Sequence, residues 1–385
     1  MSDVRKLIGE ALSEIIDSAA HGGPRVRVGL QANGSEHGPE EIVRAARLAQ
    51  SQNPNIQVVV IGPRKVENCA DLEWIETGEC ENDLEAAMDE AMNSGKVAGV
   101  VAMHHPFPMG VTTIGRVFTP AFGRDMIVAS TTGTSAINRV EAMIRNTVYG
   151  LAVAKALGKA NPTVGILNVE GAQMVYKALC KLKDNGYPIT FGQSRRADGG
   201  SVLRGNDILQ GVVDVCVCDT LTGNVLMKMF SSFNTGGSYE ALGWGYGPSV
   251  GEGWGHVVNI ISRASGAPVI ANAVAYCGAV AAGKLPEIAA AEIDCAKACG
   301  LEKIIADSLP APASASAEDV KAPPAEPTNE EVHGVDVLAI EDAVRELWKH
   351  GIYAESSMGC TGPVVKLNKA KEEEARKILG AAGYL

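Results

Sequence analysis

The sequence predicts an α/β protein in three layers, a sheet covered by helices on both faces. Three observations carry this. Short, continuous apolar runs such as residues 56–61 alternate with stretches of helical period, the pattern of parallel strands buried on both sides. Glycine and alanine are plentiful and aromatics few, which suits closely packed helices joined by many tight turns. The length, 385 residues, holds two domains or one large α/β unit.

The elements follow in order. Residues 2–20 carry apolar side chains at helical spacing (Val4, Leu7, Ile8, Leu12, Ile15, Ile16) and predict an amphipathic helix that caps the fold or meets a partner. The first strand is expected over 26–30, and a helix from Glu40, with Pro39 beside its first position. A strand at 56–61, a helix at 83–93 and a strand at 97–103 come next. His104 and His105 follow directly. Adjacent histidines point different ways on an extended chain, so they make a poor metal pair and read as loop residues, with hydrogen bonding near the site as the other role open to them. A strand at 126–130 runs into a hydroxyl-rich loop, Ser130, Thr131, Thr132, Gly133, Thr134 and Ser135, and then a helix at 138–157. Such a loop offers hydroxyls and free N–H groups to phosphate, or simply caps the helix.

Beyond it, strands are expected at 163–169 and 189–191, with a helix at 172–185 between them. A strand at 212–218 leads through the turn Asp219-Thr-Leu-Thr222-Gly223-Asn224 into a helix. Asn224 and Lys228 lie one helical turn apart and can face one ligand. Cys216 and Cys218 lack a second ligand pair and read as packing residues, as do Cys295 and Cys299. The glycine-rich stretch 243–255 does not follow a clean strand, so it reads as a mobile or tightly turned loop beside the site, whose aromatic residues can cover a ligand or meet a partner, rather than a dinucleotide motif. A helix over 255–263 and further helices through Ser308 are expected. Residues 309–333 lack a hydrophobic period and read as a flexible Pro/Ala-rich insertion. Four parts follow: residues 1–22, an N-terminal helix; 23–308, the α/β domain; 309–333, the insertion; and 334–385, too short for a comfortable core of its own and expected to complete the main sheet.

The net charge of −11 with no basic block argues against a nucleic-acid binder. Nine cysteines without disulfide-like spacing, no signal peptide and no bilayer-spanning run predict a cytoplasmic protein with reduced thiols and no membrane role. In the C-terminal part, Gly359 and Gly362 flank Cys360-Thr361. A thiol held between glycines can be a nucleophile or acyl carrier where its thiolate is stabilised. It can equally be a small buried residue in a tight turn.

A resemblance weighs on that choice. The run from Asp214 to Lys228 resembles the strand–turn–helix of bacterial acyl-carrier-protein:phosphate acyltransferases, and Val164-Gly-Ile-Leu-Asn-Val-Glu170 and Gly362-Pro-Val-Val-Lys366 are similar to further parts of that family. The Pro/Ala-rich insertion, the histidine pair and Met358-Gly-Cys-Thr-Gly-Pro363 depart from it. With them the full length resembles the alpha subunits of glycine/sarcosine/betaine reductase component C. The resemblance implies a fold similar to isocitrate and isopropylmalate dehydrogenases. It implies an acetyl thioester on Cys360, formed from the carboxymethyl-selenocysteine of the selenoprotein component A and cleaved by inorganic phosphate to acetyl phosphate. It implies a thiolase- or ketoacyl-synthase-like beta subunit as partner, and an oligomer is expected. In this scheme phosphate sits against Thr131 to Ser135 and Thr222, Gly223 and Asn224. Lys228 or Lys366 offsets its charge. N–H groups around Gly359, Thr361 and Gly362 hold the oxyanion. No metal and no cofactor are required. Rival readings are a stand-alone acyl-thioester:phosphate acyltransferase with a structural Cys360, a nicotinamide-dependent dehydrogenase, for which no convincing ligand set is present, and a non-catalytic scaffold subunit.

Overall fold

The computed structural model describes residues 25–196, 199–309, 320–335, 339–359 and 362–385, together with Gly9, Leu12 and Ile16. The helix expected over 1–22 therefore lies outside the described residues, apart from those three helical positions, and so does 310–319 of the insertion.

The chain begins with β1 (Val26–Gln31), α1 (Pro39–Gln52), β2 (Ile56–Gly62), β3 (Glu73–Glu76), α2 (Glu81–Asn93) and β4 (Gly99–Ala102). A hairpin follows, β5 (Thr112–Phe118) and β6 (Asp125–Gly133), then α3 (Arg139–Ala156), β7 (Thr163–Leu167) and α4 (Ala172–Asp184). Short strands β8 (Thr190–Phe191) and β9 (Val202–Leu203), α5 (Gly205–Gln210), β10 (Val215–Val217) and α6 (Thr220–Ser232) complete that half. The chain returns through β11 (Gly247–Val250) and β12 (Val258–Ile260) to α7 (Ala267–Ala282), α8 (Leu285–Ala298) and α9 (Leu301–Ser308).

All twelve strands join one sheet in the order β3-β2-β1-β4-β12-β11-β5-β6-β10-β7-β8, with β9 also on β7. Alternate residues of β2 show why its apolar run is continuous. Val58 and Val60 enter the core under α1, α3 and α7, while Val59 and Ile61 enter the opposite core with Leu84 and Met88 of α2. Each such side chain, fully buried, contributes about 1.5–3 kcal/mol. The sheet is not parallel throughout. The β12–β11, β11–β5 and β5–β6 pairings are antiparallel, so the parallel blocks on either side run in opposite directions.

Two sequence expectations fail at this seam. The glycine-rich stretch is not a loop throughout: Gly247–Val250 is a central strand. The helix expected over 255–263 is absent, and Val258–Ile260 forms β12. Glycine hides the strand pattern here because the backbones approach too closely for side chains. A Cβ on Gly247 would stand 1.7 Å from the Ile114 carbonyl oxygen.

The last part is a further correction. β13 (Glu330–Val332), α10 (Ile340–Lys349), β14 (Ala354–Gly359), β15 (Gly362–Leu367) and α11 (Glu372–Ala381) do not extend the main sheet. They form a separate three-stranded sheet, β13-β15-β14, in which β13 comes from the stretch read as flexible. Val332, Val365 and Leu367 pack with Ile340, Val344, Leu347 and Leu379 in a core of their own, against which Ile137 also packs. The third strand and the two amphipathic helices supply what a two-stranded hairpin lacks.

Gly223→Ala tests the tightest helix–sheet approach near the seam. The added Cβ would lie 1.8 Å from the Ser130 carbonyl oxygen, and backbone cannot yield as a side chain does. The expected loss is about 1–3 kcal/mol by guanidinium unfolding. Gly380→Ala, in open space within α11, should instead gain about 0.4–1 kcal/mol.

Candidate active site

A cavity of ≈ 230 Å³ opens at the seam, lined by the segment after β4 (Met103, His104, His105), the end of β6, Asn224 and Lys228 of α6, Tyr246 and Met358. Its floor is set by a bulge. Thr113 pairs with Thr132 but Ile114 pairs with Ala129, which leaves Ser130 and Thr131 without opposing residues, and bulges of this kind re-aim neighbouring side chains. The Thr131 hydroxyl donates to the Tyr246 carbonyl at 2.5 Å, and the Asn224 amide donates to the Thr131 carbonyl at 3.0 Å. Lys228 Nζ donates to Asn224 Oδ1 at 2.7 Å and stands 4.8 Å from the Tyr246 ring centroid. Partial desolvation lowers the Lys228 pKa, opposed by the charge of Glu240. The buried Glu240 carboxylate accepts from the Tyr246 and Ser265 hydroxyls, each at 2.7 Å. Burial, then that carboxylate, pushes the Tyr246 phenol well up, so Tyr246 stays protonated.

The opposite wall belongs to the two histidines. Glu85 and Asp89, one turn apart on α2, each take one ring nitrogen: His104 Nδ1 lies 3.3 Å from Glu85 Oε1 and His105 Nε2 lies 3.1 Å from Asp89 Oδ1. The sequence reading favoured a plain loop for this pair over hydrogen bonding near the site, counted Tyr246 only among the aromatics of the glycine-rich stretch, and missed Glu240. The adjacency of two histidines after a predicted strand was the available signal.

The hydroxyl-rich stretch behaves differently from expectation. Residues 130–133 are the end of β6 rather than a loop, and the first N–H groups of α3 are taken by Asn138, which accepts from Val140 and Glu141. Ser130 Oγ is bonded to Thr220 Oγ1 at 2.8 Å, Thr131 is committed to the sheet, and the buried Ser135 Oγ donates to the Ala142 carbonyl at 3.4 Å. Only Thr132 and Gly133 of this run line the cavity. Thr222 and Gly223 lie inside the first turn of α6, not in a turn before it. Asp219 caps that helix, accepting from the Thr222 N–H at 3.1 Å and its hydroxyl at 2.6 Å. Gly223 serves the close packing on Ser130.

The C-terminal sheet reaches the same place. Met358 lines the cavity, and its Sδ accepts from the Thr134 hydroxyl at 3.2 Å. Gly359 pairs with Gly362 at the end of the β14–β15 ladder. Cys360 and Thr361, between them, lie outside the described residues. Lys366 is not brought to the cavity. It sits farther along β15, opposite Glu331, with Nζ 3.5 Å from Glu331 Oε1. Alternation with Val365 and Leu367, which fill the small core, turns its side chain to that ion pair.

The thiols away from this wall are of two kinds. Burial pushes Cys216 up to about 12 and holds Cys218 well above the usual thiol range, so both are packing residues. Cys295, expected to be buried, is exposed, because Ala289, Ile293 and Ala296 form the buried face of α8.

The chain belongs to the phosphate acyltransferase family, whose profile, described as fatty acid synthesis protein, matches residues 26–366. A phosphate acyltransferase of Thermotoga neapolitana is 27 % identical over 57 % of this chain and 76 % of its own length. Within the family the chain groups with a full-length relative: it is 51 % identical to the glycine/sarcosine/betaine reductase complex component C subunit alpha of Peptoclostridium acidaminophilum, over 100 % of both chains. A branched-chain phosphotransacylase structure from Enterococcus faecalis V583 aligns with a TM-score of 0.49 and 15 % identity, over 66 % of this chain and 99 % of that one.

Thiol accessibility checks the packing around the site. Cys80 and Cys295 are exposed, whereas Cys216, Cys218 and Cys277 are buried. An aromatic disulfide reagent should label the first two in the native protein and the last three only after unfolding. Native labelling of Cys218 would contradict the close seat of α6 on β6.

Proposed function

We propose that this chain transfers an acetyl group from a thioester to inorganic phosphate within a glycine reductase complex, giving acetyl phosphate. The observation that carries the reading is the meeting of Lys228, Asn224, Thr132 and Gly133 with Met358, two residues before Cys360, at one cavity. The full-length likeness to a component C alpha subunit supports the same reading.

In this reading Lys228 and Asn224 hold phosphate and Cys360 carries the acetyl group. A phosphate oxygen attacks the thioester carbonyl, a C–O bond forms, the C–S bond breaks and sulfur leaves. Thiolate is a good leaving group, so positioning matters more than strong acid catalysis. N–H groups around Gly359 and Gly362 stabilise the oxyanion, and losing one such donor costs about 3 kcal/mol. The reaction uses no metal and no cofactor. The acetyl group arrives from the selenoprotein component A, and a thiolase-like beta subunit accompanies this chain. Assembly finds support on the outer side of α6, where Leu221, Val225, Met229 and, just beyond the helix, Phe233 recur every fourth position and are exposed. Such a row is what a partner chain covers. No nucleic acid or membrane takes part, and the complex works in the cytoplasm.

Incubation with acetyl phosphate, followed by peptide mass spectrometry, tests the carrier. Hydroxylamine-labile acetyl should appear on Cys360. Cys360→Ser should lose it and abolish acetyl-phosphate formation with all partners supplied, while the fold is kept. Acetyl on another residue, or near-normal turnover in the variant, would sink the assignment. Lys228→Met should weaken phosphate use by roughly 10–100-fold, as expected for a lost hydrogen bond to a charged group, read as a raised KM for phosphate.

A further inference from the structure

Two apolar rows are left uncovered. On the outer side of α6, Leu221, Val225 and Met229, with Phe233 just beyond, are 74, 50, 55 and 83 % exposed and recur every fourth position. No charge interrupts that row. Between Thr220 and Phe233 the chain carries one charged residue, Lys228, and its Nζ is turned to Asn224 and the Tyr246 ring at the cavity. The second row belongs to the stretch before β1. The helix expected over residues 2–20 repeats Val4, Ile8, Leu12 and Ile16, again every fourth position. Its described positions, Gly9, Leu12 and Ile16, are helical. Leu12 and Ile16 are 52 and 67 % exposed, and a Cβ on Gly9 would meet nothing within 4 Å. Among the described residues, then, neither row is covered by its own chain.

We propose that the N-terminal helix of a second copy lies on the α6 row, and that the exchange is reciprocal, the two copies being related by a two-fold axis. Rows spaced by four are ridges on a helix surface, and two such ridges interdigitate at a crossing angle of about −50°. The two rows match in length, four residues each. Area decides for a second copy. The exposed parts of the six side chains with known exposure cover roughly 700 Å² in one contact, short of a stable interface, whereas the two contacts of a reciprocal pair reach roughly 1,400 Å². Charge agrees. Each copy carries a net −11, so two copies repel over most of their surface and meet at least cost on an uncharged row. By helical period Lys6, Glu10 and Asp17 fall opposite the apolar row of the N-terminal helix, so its charged side stays in water when the row is covered.

Sedimentation of the full chain tests this. The native protein alone should run at twice the chain mass. Met229→Glu, on the α6 row, and Leu12→Glu with Ile16→Glu, on the helix, should each run at the chain mass. Both contacts then take up a buried charge, and the dissociation constant should rise on the order of 100-fold or more. All three side chains are exposed, so the cores are untouched. Should Met229→Glu not fold, Val225→Glu on the same row takes its place. A photoreactive phenylalanine analogue at position 16 reads the contact itself: it should give a product of twice the chain mass, linked to residues 220–233. A native monomer overturns the proposal and leaves the row to a different chain. A pair that survives the helix substitutions overturns it in favour of α6 meeting α6. Pairing that survives Met229→Glu, a link within one chain, or a link outside residues 220–233 overturns it as well.

Discussion

The approach of α6 to β6 is the constraint on which the site depends. Gly223 lies so close to the Ser130 carbonyl that no side chain can stand between them. That contact brings the first turn of α6 onto the bulge, and the Asn224 amide then reaches the Thr131 carbonyl. Thr131 in turn holds the strand that begins beside Tyr246. Lys228, one turn further along α6, is aligned by Asn224 and by the face of that same ring. A single glycine thus fixes the distance between a helix and a sheet, and the polar groups of the cavity inherit their positions from it.

The second wall is built on a different principle. The two histidines are set by carboxylates from one face of α2, spaced by one helical turn. The His105 ring plane is further confined by Phe107 and Trp254. Orientation here comes from the carboxylates, through a hydrogen bond and aromatic packing at His105 and an ionic contact at His104. The first wall relies on backbone proximity. The cavity therefore combines one cation that is partly desolvated with imidazoles whose outer nitrogens are already occupied.

Much of the fold was legible because β1, β2, β7 and the main helices obey simple periodicities. The two-faced burial of β2 is the clearest case, since its apolar residues alternate between two cores. The seam was not legible. β11 is short, contains glycine and proline, and has close backbones where side chains would announce a strand. Helix α6 starts earlier than its composition suggests because Asp219 caps it. Asn224 and Lys228 were visible through their helical spacing, which survives that shift. Lys366 was misplaced because strand alternation says which face a residue occupies only once the sheet it joins is known. The bond between Tyr246 and Glu240 was invisible for a related reason: it closes a loop within the glycine-rich region, and nothing in the local pattern marks it.

One feature of the C-terminal sheet has a mechanical meaning. Its strands and helices bury their own apolar core, yet Met358 belongs to the wall of a cavity otherwise made by the large sheet. A wall supported in this way can be withdrawn by breaking only the contacts between two cores, among them those of Ile137 and Thr134. Neither core has to melt. Amide protection in the small sheet therefore depends on its own core and not on whether that wall stays in place.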